Sequence, residues 1–269
     1  MPTATQLYNE DPTYEWDRLD RDAYHRIEFD ITMHHLRKHL PPSGAILDAG
    51  GGPGRYTIAL CRAGYRVTLV DLASGCVEMA RRRIAEEPPD IRHNLAAAEV
   101  GDIRDLSRFD AGSFDATLCL GGPLTHLPAA DDRDRAVGEL ARVTRPGGLV
   151  ATSVVGRLAV LRTIMTRFSD EMTTPYGRAL LRTGDGLGPR DVPWHFFTAD
   201  ELRRLAEAHG IETVAMVGCE SLSSGLPDAT NRLAENPHKW DAWMDTLMAA
   251  SDDPAVVDMS EHILHMGFT

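Results

Sequence analysis

The sequence predicts a doubly wound α/β fold with a mostly parallel sheet. Short apolar runs at 46–48, 67–71 and 114–120 are typical of buried strands. Helical patterns separate these runs, and strands that alternate with helices favour a parallel sheet covered on both faces. A chain of 269 residues is long enough for one substantial core with a small cap.

The first strand ends in a carboxylate and leads into a glycine-rich loop. The segment 46–54 reads ILDAGGGPG, and a helical pattern follows at once. Glycines let the backbone come very close to a ligand, and the start of a helix offers free N–H groups. This layout predicts a nucleotide-type site at the edge of the sheet.

The glycine spacing distinguishes two kinds of ligand. A dinucleotide fingerprint requires G-x-G-x-x-G, but a count from Gly50 puts Arg55 at the third glycine position, and a count from Gly51 breaks at Pro53. The Asp48 carboxylate would also repel a pyrophosphate. The same carboxylate suits S-adenosylmethionine, whose amino-acid part brings an ammonium group near the loop. A nicotinamide dinucleotide is therefore the weaker alternative.

The segment 47–54 resembles the first motif of the class I S-adenosylmethionine-dependent methyltransferases, of the small-molecule type. Further segments resemble parts of that family in the same order and spacing, and the resemblance covers roughly residues 40 to 156. It implies a Rossmann-like fold with a mostly parallel seven-stranded sheet. In this family the last strand, which here would be His262 to Phe268, lies antiparallel at the sheet edge.

The resemblance also implies which residues hold S-adenosylmethionine. Asp71 lies about twenty residues beyond the loop, where an acidic side chain accepts hydrogen bonds from ribose hydroxyls. Asp102 would take the adenine amino group, and Ile103 would supply a backbone N–H and an apolar wall. The full set expected to bind the cofactor is Asp48, Gly50, Gly51, Gly52, Asp71, Leu72, Asp102, Ile103 and Leu120.

Three segments could form a cap over the acceptor. We expect a helical N-terminal arm at 1–40 and a methyltransferase domain at 41–269, with cap insertions around 156–194 and 219–261. The last segment carries apolar residues at helical spacing, which form one helix face. Core or dimer packing is the preferred interpretation of this face, and a wall of the acceptor pocket is the alternative. The face consists of Trp240, Trp243, Met244, Leu247 and Met248.

Two histidines are candidates for a catalytic base. Methyl transfer is an in-line displacement at carbon, so orientation does much of the work and a base matters only for an acceptor that loses a proton. Histidine has an ordinary pKa of about 6.5. His126 is the first candidate because its loop follows the fourth strand, and His195 is the second. For both, a loop histidine bonded to backbone is the alternative.

Composition narrows the choice of partners. A net charge of −12 argues against nucleic acid as acceptor and favours a small neutral or cationic molecule. The sequence has no apolar run of about 20 residues and no secretion-type start, which predicts a cytoplasmic protein without membrane contact. The four cysteines lack metal-ligand spacing, so no metal site is expected. A homodimer is compatible with the sequence.

We therefore expect methyl transfer from S-adenosylmethionine to an O, N or C nucleophile of a small molecule, such as a specialised metabolite. The main alternative is a non-methylating enzyme or a binding protein that uses S-adenosylmethionine structurally on the same fold. An NAD-dependent oxidoreductase is a weaker alternative, because Asp48 and Arg55 both disfavour the dinucleotide.

Overall fold

A seven-stranded sheet forms the centre of the structure, a computed structural model that describes residues 3–269. The order is β3-β2-β1-β4-β5-β9-β8, and β6 and β7 form a separate two-stranded hairpin. The strands are β1 (Ala45–Ala49), β2 (Arg66–Asp71), β3 (Leu95–Val100), β4 (Phe114–Cys119), β5 (Thr144–Val155), β6 (Asp185–Leu187), β7 (Pro193–His195), β8 (Glu212–Gly218) and β9 (His262–Phe268).

Helices cover both faces of this sheet, which confirms the predicted doubly wound, mostly parallel architecture. Strands β1 to β5 run parallel to one another, and β9 runs antiparallel to β5 and β8. The helices are α1 (Ala4–Glu10), α2 (Pro12–Arg18), α3 (Ala23–His39), α4 (Arg55–Arg62), α5 (Ser74–Ala85), α6 (Pro89–Arg92), α7 (Ala130–Val143), α8 (Arg157–Arg167), α9 (Pro175–Thr183), α10 (Ala199–Ala208), α11 (Pro227–Ala234), α12 (Pro237–Ala250) and α13 (Pro254–Val257).

Strand β1 marks the point where the strand order reverses. It has β2 on one side and β4 on the other, although β4 comes much later in the chain. In open α/β sheets, ligands bind beyond the carboxyl ends of the strands at such a switch point. The glycine loop at 50–54 leaves β1 at this end and enters α4. The topology therefore fixes where a ligand site is to be sought.

The last strand does not lie where the sequence interpretation put it. The segment 262–268 is antiparallel, as expected, but it is inserted between β5 and β8 and is not at the sheet edge. Strand β8 forms the edge instead. The reason is burial, because Ile263, Leu264 and Met266 are fully enclosed and need a neighbouring strand on each side of β9.

The three segments outside the core motifs differ in their surroundings. In the N-terminal arm, α3 belongs to the core, since Ile27, Ile31 and Leu36 are fully buried, whereas α1 and α2 contain no buried residue. Helix α12 packs its aromatic face against that same core, and Leu247 is fully buried there. This agrees with core packing as the interpretation of the α12 face. No helix in the described range 3–269 combines the length and apolar character required to cross a bilayer.

Candidate functional site

A cavity of about 330 Å³ opens at the switch point, beyond the carboxyl ends of β1, β2 and β4. Its volume lies within the usual range for small-molecule sites, roughly 300–1,000 Å³. Helices α1 and α2 cover its outer side. The lining includes eight of the nine residues that the sequence analysis expects at the cofactor, namely Gly50, Gly51, Gly52, Asp71, Leu72, Asp102, Ile103 and Leu120.

The glycine loop is shaped by close packing on one side and open space on the other. Gly50 and Gly54 have φ of 78° and 89°, which favours glycine at both positions. A Cβ at Gly50 would lie 2.5 Å from Pro123, and a Cβ at Gly54 would lie 2.9 Å from the Ala80 side chain. At Gly52 no atom of residues 3–269 lies within 4 Å of a Cβ position. The loop therefore leaves room for a ligand directly above its backbone.

Asp71 stands at the end of β2 and connects to the loop through its carboxylate. Its Oδ2 accepts a hydrogen bond from the Gly52 N–H, and its Oδ1 accepts one from the Ala73 N–H, both at 2.8 Å. Burial raises the pKa of this carboxyl above its ordinary value. An ionised carboxylate has about four lone-pair sites, so two backbone bonds leave acceptor capacity for hydroxyl groups in the cavity.

Asp48 lies beneath the loop and does not line the cavity, in contrast to its expected place beside the ligand. It is fully buried, and its Oδ2 accepts a hydrogen bond of 2.6 Å from the Thr57 hydroxyl. Its Oδ1 has no hydrogen-bond partner within residues 3–269, and a Cβ on Gly51 would lie 2.7 Å from Oδ2. Burial raises the pKa of Asp48 to about 6. The side chain thus supports the loop from below.

Asp102 and Ile103 form the far end of the cavity, after β3. The Arg104 guanidinium holds the Asp102 carboxylate at 2.6 Å and also reaches Asp132 at 2.8 Å. Burial opposes the charge of Asp102, but the hydrogen bonds from Arg104 lower its pKa overall. The Asp102 carboxylate thus offers a hydrogen-bond acceptor where a planar base could lie. Apolar walls, which include the half-exposed Leu72, are present at the same end of the cavity.

His126 lines the cavity on a short turn that follows β4. Its Nε2 lies 2.9 Å from the Tyr8 hydroxyl of α1, and its ring meets Trp194 edge-on with centroids 4.8 Å apart. Its Nδ1 is buried and has no hydrogen-bond partner among the described residues. Burial lowers the pKa of His126 to about 4, so the imidazole is neutral at pH 7. A neutral imidazole in the cavity can accept a proton.

His195 lies outside the cavity and has no free nitrogen. Its Nδ1 is 2.7 Å from Asp185 of β6, and its Nε2 is 2.5 Å from Glu201 of α10. Glu201 also accepts a hydrogen bond of 2.5 Å from Arg157 of α8. Because both ring nitrogens contact carboxylates, the contacts of His195 are those of a residue that joins the β6–β7 hairpin to α10.

Further residues line the cavity that the sequence did not identify as site residues. Arg18 lines it and is held by Glu15 at 3.0 Å and by Glu28 at 2.5 Å. Tyr8 and Arg55 also line it. The only sequence signal was the presence of aromatic residues in the arm, since nothing local shows which surface a short terminal helix will cover.

Comparisons with known proteins agree with this site. Residues 46–148 match the family described as "Methyltransferase domain". A glycine/sarcosine N-methyltransferase of Parasynechococcus marenigrum (strain WH8102) is 33% identical over 146 residues, which are 54% of this chain and 49% of that protein. A ubiquinone biosynthesis O-methyltransferase of Xanthomonas axonopodis pv. citri (strain 306) is 31% identical over 128 residues, 47% of this chain and 50% of that protein. The chain spans about half the length of these curated relatives.

One solved structure illustrates the similarity of fold. The 1,6-didemethyltoxoflavin-N1-methyltransferase of Burkholderia thailandensis, crystallised with 1,6-didemethyltoxoflavin and S-adenosylhomocysteine, aligns with a TM-score of 0.57. The alignment covers 98% of this chain and 86% of that one, at 16% identity. At this identity the comparison shows a shared fold only.

Proposed function

We propose that this chain, whose residues 46–148 match the family described as "Methyltransferase domain", is a class I S-adenosylmethionine-dependent methyltransferase that methylates a small molecule. The observation that supports the proposal is that residues from several strands meet at one cavity. The glycine loop, Asp71, Asp102 and Leu120 lie at the ends of four different strands, yet all line one cavity at the switch point. The reaction would methylate an O, N or C nucleophile.

The cavity suits the three parts of S-adenosylmethionine. The free space above Gly52 would accept the amino-acid part, the spare lone pairs of Asp71 would accept the ribose hydroxyls, and Asp102 would face the adenine amino group. When bound, this cofactor supplies an electrophilic methyl group on a sulfonium. The protein would exclude water with α1 and α2 and hold the nucleophile in line, which supplies up to roughly 7–11 kcal/mol in ideal cases.

Arg18 is a further candidate contact for the amino-acid part. Its guanidinium lines the cavity, and its Nη2 lies 3.8 Å from the Cβ position of Gly121, just after β4. A guanidinium has five N–H donors, of which three here are directed to Glu15 and Glu28. The remaining donors suit a carboxylate.

The acceptor class follows from the charges of the lining. Four carboxylates line the cavity against three guanidiniums, so its charge is close to balanced, with one acid in excess. This supports a small neutral or cationic acceptor, and the net charge of −12 disfavours nucleic acid. The four free cysteines are all buried, which supports a reducing compartment such as the cytoplasm.

His126 is the residue we assign to proton removal from an acceptor that has a proton to lose. It lines the cavity close to the end of β4, where its Nε2 lies 2.9 Å from the Tyr8 hydroxyl. Since its pKa is lowered to about 4, the base form prevails at every pH well above 4. The contribution of His126 to the rate should therefore be constant between about pH 6 and pH 8 and fall only towards pH 4.

Mass spectrometry of S-adenosylhomocysteine formed with a panel of small amines and phenols tests this proposal. With any acceptor that turns over and loses a proton, His126→Ala should lower kcat by roughly 10²- to 10⁴-fold, without weakening binding of S-adenosylhomocysteine. His93→Ala, at an exposed histidine, is the matched control and should keep full activity. If His126→Ala turns over such an acceptor at the normal rate, the assignment of the base is wrong.

A further inference from the structure

A second cavity, of about 650 Å³, adjoins the site described above and shares only Arg55 with it among the described residues 3–269. It is a groove on α4, where the buried Ile58, the half-buried Ala59 and the exposed Ala63 form an apolar floor. Five arginines surround this floor from three helices: Arg26 and Arg37 from α3, Arg55 and Arg62 from α4, and Arg83 from α5. We call this cavity the arginine groove.

The arginine groove is positive on a strongly acidic protein. Its lining holds five arginines and three carboxylates, a difference of two positive charges, while the chain as a whole carries −12. The carboxylates do not use all the donors. Arg62 is paired with Glu87 at 2.5 Å, and Arg83 with Glu86 at 3.5 Å. Asp20 is paired with both Arg26 and Arg55, and Asp30 also binds Arg26. Arg37 makes no hydrogen bond or ion pair within residues 3–269.

Two aromatic rings hold several of these guanidiniums in place. Arg55 and Arg83 lie over the Trp16 ring at 4.3 and 4.8 Å from its centroid, and Arg26 lies 4.8 Å from the centroid of Phe29. A cation–π contact uses the face of the guanidinium and leaves its N–H groups free. These three arginines are therefore positioned in advance, and only the donors that Asp20, Asp30, Glu86 and the Trp16 carbonyl leave unused remain for a ligand.

We propose that the arginine groove binds a small organic phosphate. Guanidinium groups bind phosphate oxygens in a two-pronged geometry, and several of them around one groove match a multiply charged anion. The apolar floor suits the organic part of such a molecule, and a volume of 650 Å³ is typical of small-molecule sites. This binding does not depend on methyl transfer.

Isothermal titration at low ionic strength, with inorganic pyrophosphate and with phenyl phosphate as probes, tests the proposal. Both probes should bind with Kd below about 1 mM. The double variant Arg37→Ala/Arg62→Ala should weaken both at least about tenfold, because each lost guanidinium removes charge-assisted bonds. Arg82→Ala, at an exposed arginine of α5 that is not part of the groove, is the matched control and should bind as the unmodified protein does.

A second variant tests the groove without removal of any arginine. Ala63→Glu places a carboxylate on the exposed floor and should abolish binding of both probes, while thermal unfolding checks that the variant remains folded. Absence of binding of both probes to the unmodified protein would overturn the proposal. Binding that persists in Ala63→Glu or in the double variant would overturn it too, because the anion would then be bound elsewhere.

Discussion

The buried Asp48 carboxylate beneath the glycine loop lowers the stability of the folded protein. The carboxylate is fully buried, and one of its oxygens has no hydrogen-bond partner in the part of the chain that the structure describes. Its folded pKa of about 6 exceeds its ordinary value of 3.8, so the folded protein keeps a proton that the unfolded chain has released. Stability therefore falls as pH rises from about 4 to about 6 and stays low above that window.

Replacement of Asp48 by asparagine should remove this pH dependence. The shift corresponds to about 3 kcal/mol, so Asp48→Asn should increase the free energy of unfolding by up to about that amount at pH 8 and by little at pH 4. Urea unfolding of the ligand-free protein at both pH values measures it. An equal effect at pH 4 and pH 8 would mean that the Asp48 carboxyl is not perturbed in the folded state.

At the scale of single elements, His195 connects the β6–β7 hairpin to α10. The side chain is almost fully buried between Asp185 and Glu201, both within 2.7 Å. Because His195 contacts both carboxylates, we expect His195→Gln to lower the free energy of unfolding by about 2 kcal/mol. Hydrogen bonds to charged groups contribute roughly 1.5–3 kcal/mol each. Urea unfolding measures the loss, and affinity for S-adenosylhomocysteine should not change.

His209 provides the control for this variant. It pairs with Asp134 at 2.9 Å, but that carboxylate is 62% exposed, so His209→Gln should change stability by less than about 1 kcal/mol. A loss of turnover in His195→Gln at unchanged stability would instead support the catalytic role that the sequence alone suggested.

The packing of the aromatic face of α12 leads to a second prediction about a single element. Leu247 is fully buried against the core that also contains α3. Leu247→Ala should therefore lower the free energy of unfolding by roughly 2–5 kcal/mol and leave the molecular mass in light scattering unchanged. Leu181→Ala, at a side chain that is 62% exposed, should have little effect. A small loss for Leu247→Ala with a change in mass would indicate an interface.

The sequence predicted the individual strands and loops better than the way in which they pack together. The glycine loop and the strands that precede Asp71 and Asp102 could be predicted from local patterns. Hydrophobic periodicity and turn residues are visible within a few neighbouring positions of the sequence. The position of β9 inside the sheet and the burial of Asp48 beneath Gly51 depend on contacts between distant segments. The contact of Tyr8 with His126 joins residues 118 positions apart, and no local pattern encodes it.

At the scale of the whole molecule, the N-terminal arm contributes residues to the lining of the cavity. Helices α1 and α2 cover the cavity and are fastened to several elements. Asn9 accepts a hydrogen bond of 2.9 Å from the Gly75 N–H at the start of α5, and Arg55 at the start of α4 bonds Asp20 and the Trp16 carbonyl. A ligand of the size of S-adenosylmethionine would thus be enclosed between the sheet and the arm.

Isothermal titration with S-adenosylhomocysteine tests the central claim most directly. The unmodified protein should bind with micromolar affinity, and Asp71→Ala should weaken binding by about 100-fold or more, since it loses the ribose acceptor and two bonds to the loop. Asp90→Ala, at an exposed carboxylate of α6, should bind normally. No binding by the unmodified protein, or undiminished binding by a folded Asp71→Ala variant, would contradict the account of the donor site.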